Sequence, residues 1–393
     1  MSNEWNTKVY EILETGKGTL EKRFGKNVNK SRFELLVLVV CSMILKRSAC
    51  YMAIAEGMDT DCKESSNLRR LQSFMSGYEL DMEFVGLLLL GLLPDKCRVR
   101  LSMDRTSWEF GGVKHNVLVV VVLTHGVSVP IWFECLDNKG GLSDMDDRCY
   151  VMMRCVELLG RDRIRSVVGD CEFIGKEWCK YLLSEGIEFY FDIRTNMCFT
   201  HKGRKYSVGE YMFIRAMKKT ILDGVVVMGM ELGLAMLAQK LKTGVKTGRG
   251  AKSVSGSKPI LAVVTNGKAC RALANYKNRW GIEVAFQCLK DRGFDLERSH
   301  VKDMARMRKL FAICSIALAL CLLTGLEVDR MRQLPKKNHG YKANSFFRMG
   351  LDFIGMVSGK GAKKESIQKR LSEEMEAIIA SIKAIVAQNI LRI

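Results

Sequence analysis

The chain has 393 residues, 48% of them apolar, and a formal net charge of +19 at pH 7. That length and apolar content exclude a disordered chain and suffice for two or three domains with real cores. The charge is one-sided: residues 1–199 carry 26 Lys and Arg against 28 Asp and Glu, while residues 200–393 carry 36 against 15. Such an excess is the footprint of a polyanion partner, with nucleic acid ahead of an anionic membrane surface.

Residues 1–95 read as helical. "FELLVLVVCSMIL" is a buried helix, and Leu68, Leu71, Phe74 and Met75 recur at helical spacing beside Arg69 and Arg70. The 14 cysteines sit in apolar runs without a C-x-x-C pair or zinc-spaced histidines. They are expected to be reduced and buried rather than bridged or metal-bound. The start, "MSNEWNTKVYEILE", lacks the basic and apolar regions of a signal peptide.

Pro94, Pro259 and Pro335 mark changes of character. After Pro94, "RVRLSMD" predicts a strand closing on Asp104, and "NVLVVVVLT" and "VSVPIWFEC" predict a hairpin turning at Gly126. A helix is predicted over Asp146–Leu159, capped by Ser143 or Asp144, so that the acids of "SDMDDR" favour a helix N-terminus over a metal site. "IRSVVGD" is a strand ending on Asp170, followed by a helix over Gly175–Ser184 and the strand "IEFYFDIR". The order β-β-β-α-β-α-β predicts a mixed α/β sheet with helices packed on it.

Residues 195–259 read as β-like pieces, "RKYSVGEYMF" and "DGVVVMGME", then a run from Lys240 to Lys258 with six basic and no acidic residues. That run reads as a loop suited to a phosphate backbone. "PILAVVTN" returns to strand and leads into the helix "YKNRWGIEVAFQCLK", with Gly293 as its expected stop. The remainder is helical and basic in patches. Its apolar stretch Leu310–Gly325 is shorter than a membrane span and reads as a core helix.

On a helix, Tyr276, Arg279, Glu283 and Lys290 fall at about 0, −60, −20 and −40°, one narrow stripe. Arg and Lys in such a stripe can pair with phosphates and Tyr can stack or hydrogen-bond. A carboxylate among them is repelled by a phosphate unless a cation intervenes, which points to Mg²⁺ or Mn²⁺ with oxygen ligands. Two-metal phosphoryl transfer calls for about three carboxylates. The candidates for the other two are Asp104 and Asp170, each at a strand end.

"LSMDRTSW", "VVGDCEFIGKEW" and the Y-x2-R-x3-E-x6-K spacing followed by "RGFDLERSH" resemble bacterial insertion-sequence transposases of the Asp-Asp-Glu type, in particular the group with a Tyr-Arg-Glu-Lys signature. The resemblance runs from Lys96 to Val301. It implies a ribonuclease-H-like catalytic fold interrupted by a β-rich insertion. It further implies that Asp104, Asp170 and Glu283 are catalytic and bind two Mg²⁺ ions, with Mn²⁺ able to substitute, and that Tyr276, Arg279 and Lys290 hold transposon-end DNA. Two departures stand out: Cys171 follows the second Asp where relatives often have Arg, and residues 195–259 lack the Trp that some relatives stack on a flipped base.

The expected organisation is therefore a helical region at 1–95 for end recognition, catalytic-domain parts at 96–194 and 260–305, the insertion at 195–259, and a basic helical region at 306–393. The expected activity is cut-and-paste transposition: hydrolysis at the element end, then strand transfer. The alternatives are an inactive DNA-binding relative and a ribonuclease-H-fold nuclease that cuts without joining. Expected partners are double-stranded DNA, as terminal inverted repeats and target, and a second protomer in the synaptic complex. No membrane is expected, and the bacterial cytoplasm, at the nucleoid, is the expected location.

Overall fold

The computed structural model describes residues 4–94, 98–124, 126–137, 141–239, 260–338, 342–358 and 365–392. The basic run Lys240–Lys258 and Pro259 lie outside the described residues.

Ten strands form one sheet in the order β3-β2-β1-β4-β5-β10-β9-β8-β6-β7. Its first half is built from β1 (Val99–Phe110), β2 (Val113–Thr124), β3 (Val127–Cys135), β4 (Ile164–Gly169) and β5 (Glu188–Asp192). β1, β2 and β3 form an antiparallel meander, and β4 and β5 add in parallel beside β1. This 3-2-1-4-5 order is that of a ribonuclease-H-like sheet, as the sequence predicts. The parallel crossovers are α6 (Met145–Leu159) and α7 (Lys176–Ser184), the connections that parallel neighbours require. Asp144 caps α6 in a capping box with Asp147, so "SDMDDR" is helix-start chemistry. β2 is buried from His115 to Val122, and residues 117–122 are the continuous apolar run of a strand covered on both faces.

Two boundaries differ from the sequence reading. β1 does not close on Asp104 but runs six residues further, pairing with β2 down to Phe110↔Val113. The polar residues "RTSWEF" look like a strand exit, but a tight glycine turn at Gly111 and Gly112, both at positive φ, carries the hairpin on. "RKYSVGEYMF" is only half β: β7 (Arg204–Ser207) gives way to α8 (Val208–Ile214), with Ser207 and Glu210 forming a capping box.

The second half of the sheet comprises β6 (Cys198–His201), β7, β8 (Thr220–Val227), β9 (Met230–Ala238) and β10 (Ile260–Thr265). β10 joins it antiparallel to β5.

Around this sheet lie the terminal helices. α2 (Lys30–Lys46), α5 (Met82–Gly91) and α12 (Phe346–Ser358) pack against α11 (Met304–Arg332). Helix α11 is long and apolar enough to cross a membrane, but 94% of its apolar window is buried inside the fold. It is a central pillar, touching β3 as well. α11 and α12 cross so closely that a Cβ on Gly325 would meet the Phe346 carbonyl oxygen at 1.8 Å, and one on Gly350 the Cys321 carbonyl at 1.9 Å. α13 (Glu365–Ile390) lies along α1 (Glu4–Phe24) and α5, where buried Asn389 donates to the carbonyl of Gly91 at 3.0 Å. The cysteines among the described residues are free.

Candidate functional site

The β1–β4 neighbours carry the two aspartates. Asp104 projects from the middle of β1 with a side chain only 13% exposed. Asp170 follows the last residue of β4 and closes a turn by accepting the Glu172 N–H at 2.8 Å. Glu283 arrives from α10 (Trp280–Leu289), which packs on β1 and β3.

Arg279 ties the arrangement together. One guanidinium nitrogen donates to Asp104 Oδ2 at 2.7 Å and another to Glu283 Oε1 at 2.9 Å. Burial pushes the Asp104 carboxyl up to about 7. Arg279 opposes that rise, while the charges of Asp170 and Glu283 add to it. The Tyr276 phenol is likewise pushed up by burial, against the pull of Arg279, with Asp192 and Asp170 nearby.

The helix carrying the signature is not uniform. α9 (Ala272–Tyr276) passes through a 3₁₀ turn at Lys277–Arg279 before α10 begins, and α10 ends at Leu289. Lys290 has left the helix with φ −93° and ψ −127°, and Gly293 lies beyond the stop instead of forming it. The single stripe of the sequence reading therefore holds for Tyr276, Arg279 and Glu283 but not for Lys290. Lys290 pairs with Glu297 at 2.6 Å and lies 5.4 Å from the centre of the Trp108 ring.

Sequence reasoning missed the layer behind the acids. Arg105 and Glu172, each one or two residues beyond a candidate aspartate, form a largely shielded ion pair. Arg105 also donates to Asn116 at 2.9 Å and to the Gly141 carbonyl at 2.7 Å. Glu172 accepts from the Ser143 N–H at 3.0 Å and its hydroxyl at 2.9 Å. Burial opposes its ionisation, but the bonds from Arg105 and Ser143 hold its carboxyl below the usual range. The pair thus bridges the strand bearing Asp104 to the turn bearing Asp170. The only signal in the sequence was adjacency to the two aspartates. Two further residues went unread: Asp192, 3% exposed at the end of β5, and Trp280, 65% exposed at the start of α10. Trp280, Lys277 and Arg100 line a cleft of about 620 Å³ floored by Leu123, Val127 and Phe346.

Whether the acids suit a divalent cation is tested by their chemistry. The donors are all carboxylate oxygens, the set Mg²⁺ and Mn²⁺ prefer. Among the described residues no group of three His, Cys, Asp or Glu side chains closes around one ion position. The Arg279 guanidinium stands between Asp104 and Glu283 as the cation of this arrangement. The donor set is of the type a divalent ion takes, while Asp104 and Glu283 are both ion-paired to Arg279 in this arrangement.

A search of curated proteins finds no match. Among solved structures, the chain is similar to a cryo-EM structure of the piggyBac transposase synaptic complex with hairpin DNA, at 10% identity and a TM-score of 0.41, over 94% of this chain and 82% of that one. The family model for the transposase DDE domain matches residues 96–322, more than half of the chain and the stretch that holds Asp104, Asp170 and Glu283. The chain belongs to the DDE-domain transposase family.

Proposed function

We propose that this chain is a cut-and-paste DNA transposase of the insertion-sequence group with the Tyr-Arg-Glu-Lys signature. The observation that carries the reading is that one guanidinium, Arg279, holds Asp104 and Glu283 together while the charge of Asp170 also acts on the Asp104 carboxyl. Neighbouring carboxylates on β1, at the end of β4 and on α10 are unfavourable without a cation, and a phosphodiester substrate would add to the repulsion.

Asp104, Asp170 and Glu283 would hold Mg²⁺ or Mn²⁺, two ions in the full complex, which supplies the charge neutralisation and water activation of phosphodiester chemistry. The chain's own residues do the rest. Arg279 releases Asp104 and turns its guanidinium to a DNA phosphate, a bidentate acceptor of the same geometry as a carboxylate. Half-buried Tyr276 keeps its proton and presents a neutral donor beside that phosphate. Lys290, on its chain reversal, exchanges Glu297 for a second phosphate. The Arg105–Glu172 bridge keeps Asp104 and Asp170 at fixed separation through hydrolysis at the element end and the later attack of the freed 3′-hydroxyl on target DNA. Terminal inverted repeats are assigned to residues 1–95, and a homodimer forms in the synaptic complex because two ends must be held at once. The protein then works in the bacterial cytoplasm at the nucleoid.

The test incubates the full chain with element-end DNA and a target plasmid in Mg²⁺, Mn²⁺ or EDTA, beside Glu283→Gln. Cutting and joining by wild type only with metal, and by the variant not at all, supports the reading. Cutting without joining makes the chain a nuclease. DNA binding with no reaction under any metal makes it a DNA-binding relative.

A further inference from the structure

We infer that Asp192 is a positioning residue of the site: it holds the Tyr276 phenol, and through it the Arg279 guanidinium, in the orientation that receives a DNA phosphate. The inference rests on the reading of Tyr276 and Arg279 as DNA-holding residues. It adds a fourth acid, on a strand that carries none of the other three.

The register of the sheet places Asp192. Ser102 of β1 lies beside Val168 of β4, and Val168 lies beside Tyr190 of β5, in parallel pairs. Partners in register point to one face, and each strand returns to that face every second residue. Two residues beyond these three stand Asp104, Asp170 and Asp192. The aspartates therefore form a row on one face of the sheet. At about 4.8 Å per strand, Asp192 is the immediate neighbour of Asp170 and lies roughly 10 Å from Asp104.

The same face carries the Tyr276 ring. Val168, Tyr190, Ala235, Val263 and Ala272 form a buried cluster, and Tyr276 packs against it. Val263 is also the β10 partner of Asp192. α9, which ends on Tyr276, packs on β4, β5 and β10. The phenol thus lies over the end of β5. There the charges of Asp192 and, more weakly, Asp170 reach it, while its oxygen is bonded to Arg279.

Burial divides the roles of the two aspartates. Asp170 is half-buried, which leaves it open to an ion, whereas Asp192 is 3% exposed. A carboxylate that deep is stabilised by protein donors and not by bulk water. A phenol oxygen can accept one hydrogen bond and donate another. With Arg279 donating to that oxygen, the phenol proton turns to Asp192, and the Asp170 oxygens stay available to a cation. Arg279 is then held by Tyr276 as well as by Asp104 and Glu283. When it leaves Asp104 it pivots on the phenol, and the incoming phosphate meets groups that are already ordered, which lowers the entropic cost of capture.

The experiment measures the affinity of the full chain for element-end DNA in EDTA, using wild type, Tyr276→Phe, Asp192→Asn and the double variant. Removing the phenol hydroxyl should weaken binding about tenfold with Asp192 present and less than about twofold with Asn in its place, because an unheld phenol contributes little. The same factor in both backgrounds overturns the inference, since a merely structural Asp192 predicts it. A larger factor with Asn overturns it too, because Asp192 would then compete with the phosphate instead of preparing for it. Fluorotyrosine at position 276 gives a second reading in the DNA-free chain. Its fluorine resonance should move in Asp192→Asn and also in Asp192→Glu, which keeps the charge and serves if the Asn variant does not fold. An unmoved resonance overturns the inference. If Tyr276→Phe alone binds as wild type does, both the inference and the DNA contact assigned to Tyr276 fall, and that failure is separable because Asp192 is untouched in it.

Discussion

Replacing Asp104 by Asn should make the metal-free protein more stable at alkaline pH, although it removes one partner of a salt bridge. The Asp104 carboxyl ionises near 7 in the fold against an ordinary value of 3.8. A carboxylate whose folded value is raised is a cost to folding wherever it is charged. That cost is absent below 3.8, grows as pH rises, and is complete above 7. At about 1.36 kcal/mol per pKa unit the full cost is roughly 4 kcal/mol, of which roughly 2 to 3 kcal/mol accrues between pH 5 and pH 8. Urea denaturation of wild type and Asp104→Asn in EDTA across that range measures it. The wild-type midpoint should fall relative to the variant by about one molar if the slope is about 3 kcal/mol/M. Parallel curves would refute the reasoning, because they would mean that Arg279 fully offsets the burial and the two neighbouring acids.

Other perturbations test the same geometry. Glu172→Gln leaves half-buried Arg105 without its charge partner, so stability should drop by about 1 to 3 kcal/mol, read as a lower melting temperature. Glu283→Gln removes a carboxylate without changing shape, and titration with Mn²⁺ followed by electron paramagnetic resonance should show weaker binding at unchanged thermal stability. Gly325→Ala drives a methyl against the Phe346 carbonyl, pushing α12 off α11 at about 1 to 3 kcal/mol, visible as a lower urea midpoint. Lys309→Met strands the carbonyls of Phe74 and Met75, which the buried ammonium now serves at 2.8 and 3.0 Å, and should cost about 2 kcal/mol by the same assay.

Much of the catalytic half was legible because its signals are local. Alternation and β-branched runs define β1 to β5, and Asp170 sits where a buried strand meets a polar turn. Asp104 was found for a reason that proved incomplete. It lies mid-strand, and what makes it special is the Arg279 and Glu283 beyond it, partners 175 and 179 residues away in sequence. The stripe argument worked for Tyr276, Arg279 and Glu283 because three residues in two turns tolerate a 3₁₀ step. It failed for Lys290 because a terminal residue obeys its cap instead of the helical repeat. Arg105 and Glu172 were invisible for a different reason: two opposite charges reveal nothing until the fold brings their strands together.

The pillar helix α11 has a consequence for how the chain is made. α2 is almost wholly apolar on the sides that α11 covers, yet α11 follows it by more than 250 residues. At about 5 to 20 residues per second, a ribosome needs roughly 15 to 50 seconds to deliver that cover. During that interval α2 has α1, α3 (Tyr51–Gly57) and α4 (Glu64–Gly77) beside it, but the face that α11 covers stays without its native partner. Yield in the cell should therefore depend on holdase chaperones and on translation speed more than on the stability of the finished fold.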